Sequence, residues 1–255
     1  MSRRQIARAT EDAAVWHPRR GTFACAHLVG DARTAVASGA RLDCVSVLRE
    51  QGIWVGEDSR LHLRLPPSGR LRMSDALPKN TCVHWSKSAS GDHPLRVSIE
   101  ASLRQAMGCL PPDDMVAALE SALHLRKISR STFDRLIEEA PARLRSTLRE
   151  AEPGAQSGYE TLARLRLRRM GYRVVIQAAI PGVGHVDALI EDAVALEIDG
   201  RAFHAETFVE DRRRDLAAEW IGIRVLRIPA TMVNSDWHYV ASTITRMVKD
   251  ARRVD

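Results

Sequence analysis

Two hydrophobic periods alternate along the C-terminal third of this chain, and their order constrains the fold more than any other feature. Ser157-Gly158-Tyr159-Glu160 has the pattern of a capping box, in which the Ser157 hydroxyl accepts the Glu160 amide while the Glu160 carboxylate reaches back. The helix it opens is expected to run to Met170 and to stop at Gly171. Tyr172 to Ala178, His185 to Ile190 and Val194 to Ile198 are short runs rich in Val and Ile, which predicts three strands. A helix from Phe208 to Trp220 closed by Gly222, a strand from Ile223 to Ile228, and a helix from Trp237 to Arg252 complete the pattern. Helix, three strands, helix, strand, helix predicts an α/β domain over residues 157–255, a mixed sheet flanked by helices.

A chain of 255 residues has room for two modules, each with its own core. Glu152-Pro153-Gly154-Ala155-Gln156 combines helix breakers with no apolar period and marks a boundary. Before it, residues 91–152 read as a helical connector. Ile99, Leu103 and Met107, then Met115, Leu119 and Leu123, fall at steps of four, Pro111-Pro112 separates the two helices, and Ser131 with Asp134 begins a third. Residues 1–90 read as a small α+β module. It has a short helix around Gln5 to Ala14, strands at Gly52 to Val55 and Leu61 to Leu65, and turn material at Pro66-Pro67-Ser68-Gly69.

The net charge of +6 permits attraction to a polyanion without identifying one. Residues 1–156 hold 23 Lys and Arg against 18 Asp and Glu, and residues 157–255 hold 15 against 14, so the basic excess lies mostly in the front part. That distribution suits a front half that holds nucleic acid and a back half that gathers acids for a metal. No apolar run approaches the roughly 20 residues a membrane span requires. Met1-Ser2-Arg3-Arg4 leads into no signal-peptide core, so a cytoplasmic protein with no membrane partner is expected. Cys25, Cys44, Cys82 and Cys109 lie far apart with no metal-clip spacing, so buried or free thiols are expected rather than a zinc site or disulfides.

In Val194-Ala195-Leu196-Glu197-Ile198-Asp199 the side chains alternate, placing Glu197 and Asp199 on one face. Adjacent carboxylates repel, and a hard divalent cation relieves the repulsion; a strand with one solvated face alternates in the same way. Asp187 lies on the preceding strand and stands opposite Glu197 if the hairpin loop has three residues, Glu191-Asp192-Ala193. A two-residue loop sets the two acids on opposite faces. After Gly200, His204 brings an imidazole near the same strand end, suited to take a proton from an attacking water, although a lone histidine is as readily structural. Arg213 and Arg214 sit in Asp211-Arg212-Arg213-Arg214-Asp215, a run suited to phosphate contact or to orienting the site's acids, or else to ion pairs along a solvated helix face. Glu160 has Arg164 four residues on, an ordinary helix partner, besides its place in the capping box, and it is expected also to face the metal site.

Together Ser157-x-x-Glu160, Asp187, Glu197-Ile198-Asp199-Gly200, Phe203-His204, Asp211-x-x-Arg214-Asp215 and Arg224-Val225-Leu226-Arg227 resemble the families related to the very-short-patch-repair (Vsr) endonuclease, within the PD-(D/E)XK nuclease superfamily. The resemblance implies a restriction-endonuclease-like core in which Asp187 and Glu197 bind magnesium, with manganese as the alternative. Glu160 supports the site, and His204 occupies the position of the catalytic histidine. Val186 stands where the superfamily name has proline, and Asp199 stands where it has the lysine that assists the attacking water. The second departure leaves His204 or a metal-activated water as the base. Trp16-His17-Pro18-Arg19-Arg20-Gly21-Thr22-Phe23 looks like the end of a degenerate winged-helix module of the AbiEi antitoxin type, which implies that residues 1–90 contact nucleic acid. The expectation is a metal-dependent DNA endonuclease or nickase. A catalytically silent DNA-binding regulator or antitoxin-like protein is the alternative, and an RNA substrate is a third reading.

Overall fold

The computed structural model describes residues 2–72, 77–87, 93–200 and 208–252, apart from the side chains of residues 3 and 208–211. The chain divides into two compact units, Met1–Pro111 with Arg130–Pro141 and Pro112–Ser129 with Ala142–Asp255.

In the first unit, α1 (Arg3–Glu11) begins at Ser2, whose hydroxyl accepts the Gln5 amide while the Gln5 side chain accepts the Ser2 amide. A hairpin follows, β1 (Val15–Arg19) and β2 (Thr22–Cys25), with Gly21 supplying the left-handed turn at φ 76°. Then come α2 (Gly30–Ala37), β3 (Arg41–Leu42), α3 (Cys44–Glu50), β4 (His62–Leu65) and β5 (Cys82–Trp85). The sheet order is β3-β4-β5, with β3 antiparallel and β5 parallel to β4. Gly52 to Val55 forms no strand, contrary to its alternation. The amides of Gln51, Gly52 and Ile53 turn back to the last carbonyls of α3, and Ile53 and Val55 are buried from this turn instead.

Leu42, Val47, Leu61, Leu63 and Leu65 form the core of this unit with Ala35 and Val97. Every residue of β4 is buried, so Arg64 must be paired, and its guanidinium donates to both Asp43 oxygens at 2.7 and 3.1 Å. Leu103 and Ala106 bury α4 (Ile99–Ala106) against α3. The next helix, α5 (Pro112–His124), belongs to the second unit, whereas α6 (Arg130–Glu138) returns to the first and pairs Arg135 with both Glu100 oxygens at 3.0 Å. The stretch 91–152, expected as a connector, is thus parcelled between the units. The stripe of Met115 and Leu119 is buried on α5, which packs against α8.

The second unit continues with α7 (Ala142–Leu148), α8 (Gly158–Arg169), β6 (Val174–Ile180), β7 (Gly184–Ile190), β8 (Val194–Asp199), α9 (Phe208–Trp220), β9 (Arg224–Pro229), α10 (Met232–Ser235) and α11 (Trp237–Ala251). The sheet order is β6-β7-β8-β9; the first two pairings are antiparallel, and the last is parallel, across the α9 crossover. Val194, Ala195 and Leu196 are buried at its centre, α8 packs on β6 and β7, α11 on β8, and α9 on β9. The element order is the one the hydrophobic periods predict, with α10 added. Among the described residues no helix is long and apolar enough to cross a membrane.

Candidate functional site

Ile190 pairs with Val194 and Ala188 with Leu196, so the β7–β8 loop is Glu191-Asp192-Ala193, the three-residue loop on which the acidic pair depends. Glu191 and Asp192 both take φ of 52°, a left-handed turn that acidic side chains tolerate, and the Ala193 amide donates to the Ile190 carbonyl at 3.0 Å. Continuing the register sets Asp187 across from Glu197 on one face of the sheet. On the other side of β7, the pairs Ile176–Ala188 and Ala178–Val186 set Gln177 across from Asp187.

Burial raises the Asp187 carboxyl to about 6, against a hydrogen bond from the Ile198 amide, and the charges of Glu160 and Glu197 push it up further. That amide donates to Asp187 Oδ2 at 2.7 Å. Only half of the expected capping box forms. Ser157 Oγ accepts the Glu160 amide at 3.2 Å, but Glu160 Oε2 accepts the Gln156 amide at 2.9 Å and Gln177 Nε2 at 3.0 Å. Gln156 Nε2 in turn donates to Gln177 Oε1 at 2.9 Å, so a ring of amides holds the buried Glu160.

Glu197 is gripped from the other side. Arg227 Nε donates to its Oε2 at 2.5 Å and Arg214 to its Oε1 at 3.2 Å. Arg227 also bridges to Asp215 at 2.8 Å, and Arg214 donates to the carbonyls of Val183 at 2.9 Å and His185 at 2.6 Å. Of the two arginines singled out for phosphate, Arg214 therefore faces inward, while Arg213 is exposed. Asp199 is exposed at the end of β8, on the Glu197 face by alternation, and its carbonyl accepts the Ala230 amide at 2.9 Å. His204 and the side chain of Asp211 lie outside the described residues. Glu160, Asp187 and Glu197 thus interact electrostatically, with Gln177 and Arg227 as supports. Gln177 carries no local signal, because its place depends on how β6 pairs with β7.

A second cluster lies in the first unit. All four cysteines are free, as expected, but Cys44 and Cys109 do not remain apart. They converge with His62 and His84 so that one donor atom from each lies within 4.8 Å of every other, which corrects the expectation of no metal-type grouping. Spacing along the chain hides it, since the four residues come from α3, β4, β5 and the turn after α4.

No protein-family model matches the chain, and no curated protein matches it.

Proposed function

We propose that this chain is a metal-dependent DNA endonuclease or nickase that hydrolyses phosphodiester bonds, of the Vsr-like type within the PD-(D/E)XK superfamily. The observation that carries the reading is the opposition of Asp187 and Glu197 across a three-residue hairpin, with Glu160 near enough to raise the Asp187 carboxyl. Antiparallel β6-β7-β8 and parallel β9, with α8 before them and α9 at the crossover, suit a restriction-endonuclease-like core.

The donor chemistry fits a hard cation. A carboxylate has about four lone-pair directions. Asp187 Oδ2 receives one amide, and each Glu197 oxygen receives one guanidinium contact, so both keep oxygen lone pairs. Asp187 and Glu197 would hold magnesium, or manganese, and Glu160 would support them through Gln177. When bound there, the cation would lower the pKa of a bound water and polarise the phosphoryl oxygen. Arg214 and Arg227 fix the direction of Glu197. His204, or a water activated by the metal, is the candidate base, Asp199 stands where the family has its lysine, and exposed Arg213 would contact phosphate. The first unit, read as a winged-helix-like module of AbiEi antitoxin type, would hold the nucleic acid, and the reaction belongs in the cytoplasm.

The test is cleavage of plasmid, mismatched and single-stranded DNA with magnesium, comparing wild type with Asp187→Ala and Glu197→Ala and including an RNA arm. Loss of cleavage in both variants is expected; equal activity in all three proteins would sink the assignment. A second reading, a silent DNA-binding regulator, is favoured by one observation: both Glu197 oxygens already rest on guanidinium groups, with an acid at 199 instead of a lysine. It predicts binding with a steep salt dependence and no cleavage.

A further inference from the structure

The acidic site leaves the Cys44, His62, His84 and Cys109 cluster of the first unit without a role. Cys44 and His62 are wholly buried, and His84 and Cys109 are half-buried. Cys44 opens α3, where the Asp43 carboxylate accepts its amide at 2.7 Å and its φ is 48°. His62 and His84 come from the parallel pair β4 and β5, at register positions two apart on the same face. Cys109 follows α4 in a turn whose Cys109 and Leu110 amides both return to the Ala106 carbonyl.

Two of the donor spacings match the edges of a coordination shell. With Zn–S of about 2.3 Å and Zn–N of about 2.0–2.1 Å, the edges of a tetrahedral two-sulfur, two-nitrogen site run from about 3.3 to 3.8 Å. His62 Nδ1 lies 3.2 Å from His84 Nε2, and Cys109 Sγ lies 3.8 Å from the same nitrogen. The outer ring atom is also provided for. His62 Nε2 faces Asp58 Oδ2 at 3.3 Å, and Asp58 is itself held by Arg60 at 2.7 and 3.0 Å. A carboxylate on the outer nitrogen keeps the proton there and turns the Nδ1 lone pair inward, the support that metal-bound histidines ordinarily have. Two imidazoles and two thiols converging on one buried point are the donor set that zinc takes.

We infer that Cys44, His62, His84 and Cys109 form a zinc site, four protein ligands closing a tetrahedron and Asp58 orienting His62. With no position open to water the site is structural, clamping the start of α3, strands β4 and β5 and the turn after α4. Cys82 approaches His84 Nε2 at 3.7 Å but stands outside the set in which every donor reaches every other.

The experiment is metal analysis of the full chain expressed with zinc and purified without chelator. One zinc per chain is expected in the wild type and in Cys25→Ser and Cys82→Ser, with loss of zinc in Cys44→Ser and Cys109→Ser. Asp58→Asn keeps the site with about 10- to 100-fold weaker zinc affinity. Because the ligand variants can fail to fold, wild-type apo-protein is also titrated with cobalt(II). The intense visible bands of tetrahedral cobalt, with a thiolate charge-transfer band, are expected. Wild-type protein lacking stoichiometric zinc and forming only weakly coloured octahedral cobalt overturns the inference, as does a Cys44–Cys109 disulfide in the isolated protein. Loss of zinc in Cys82→Ser overturns the ligand set. None of these outcomes bears on cleavage at Asp187 and Glu197.

Discussion

Glu120→Ala should loosen α8, the helix that carries Glu160, through a contact far from the sheet. Glu120 on α5 and Arg164 on α8 are both buried, with Arg164 NH2 2.6 Å from Glu120 Oε1. Glu120 also accepts the Thr161 hydroxyl and the Glu152 amide at 2.6 Å each, and Arg164 donates to the Glu150 carbonyl at 2.9 Å. Burial pushes the Glu120 carboxyl up and outweighs the downward pull of the Arg164 guanidinium. Removing the carboxylate strands a guanidinium with no exposed surface, along with a hydroxyl and an amide. One-sided breakage of such a pair costs about 3–5 kcal/mol. At ~1.4 kcal/mol per tenfold, that raises opening of the α5–α8 contact roughly a hundredfold to a few thousandfold. Hydrogen exchange at the amides of α5 and α8 reads this directly. The double variant Glu120→Leu, Arg164→Met should exchange more slowly than either single, because it leaves no buried charge. A cost below about 1 kcal/mol for Glu120→Ala, or a double variant worse than both singles, would refute the reasoning.

Asp187→Asn should stabilise the metal-free protein above pH 6. A carboxyl raised from 3.8 to about 6 keeps its full stability below pH 4 and loses it as pH rises through 6, on the order of 1–2 kcal/mol once solvent screening of this half-buried group is allowed for, so the gap between variant and wild type should open across that window in denaturation with chelator. A gap that closes with rising pH contradicts the buried, like-charged setting of Asp187. Arg227→Met removes the guanidinium between Glu197 and Asp215 and leaves both acids short of a donor. A loss of roughly 1–3 kcal/mol in urea titration is expected, and no change would mean that Arg214 and Arg212 suffice. Arg135→Ala cuts a half-exposed contact with Glu100, whose carboxyl Arg135 holds below its usual range. The cost should stay within about 1 kcal/mol at neutral pH and vanish as pH falls through the Glu100 carboxyl; a cost above 2 would show the α4–α6 pair to be more than a surface contact.

The acidic pair was legible because everything that places it is local. Alternation along Val194 to Asp199 chose the face, and a loop of three residues chose the register. Helix α9 was equally plain, from Phe208 to the stop at Gly222. The loss of half the Glu160 capping box was not, because the box and a contact to Gln177 need the same carboxylate and differ only once β6 is docked. Which arginine orients an acid was not legible for a related reason: a run of three arginines does not say which one lies over the strand ends, where Glu197 and two carbonyls accept Arg214. Gly52 to Val55 alternates like a strand and buries Ile53 and Val55 like one, yet the amides of Gly52 and Ile53 are already taken by the end of α3. The Cys44, His62, His84 and Cys109 grouping was invisible because its donors are strung about twenty residues apart, whereas paired ligands in metal clips typically sit about two to four residues apart.

The two proposed metal sites differ in chemistry, and that difference decides how any metal dependence must be interpreted. Carboxylate oxygens at Asp187 and Glu197 suit a hard, weakly held cation, whereas thiolate and imidazole at Cys44, Cys109, His62 and His84 suit zinc. A general chelator strips both, so lost cleavage after chelation does not locate the catalytic metal. Withholding magnesium from zinc-loaded protein does, because it empties only the oxygen site. Cleavage that stops without magnesium while zinc remains at one per chain places the chemistry at Asp187 and Glu197. Cleavage that survives without any hard cation removes a magnesium-holding acidic pair from the mechanism.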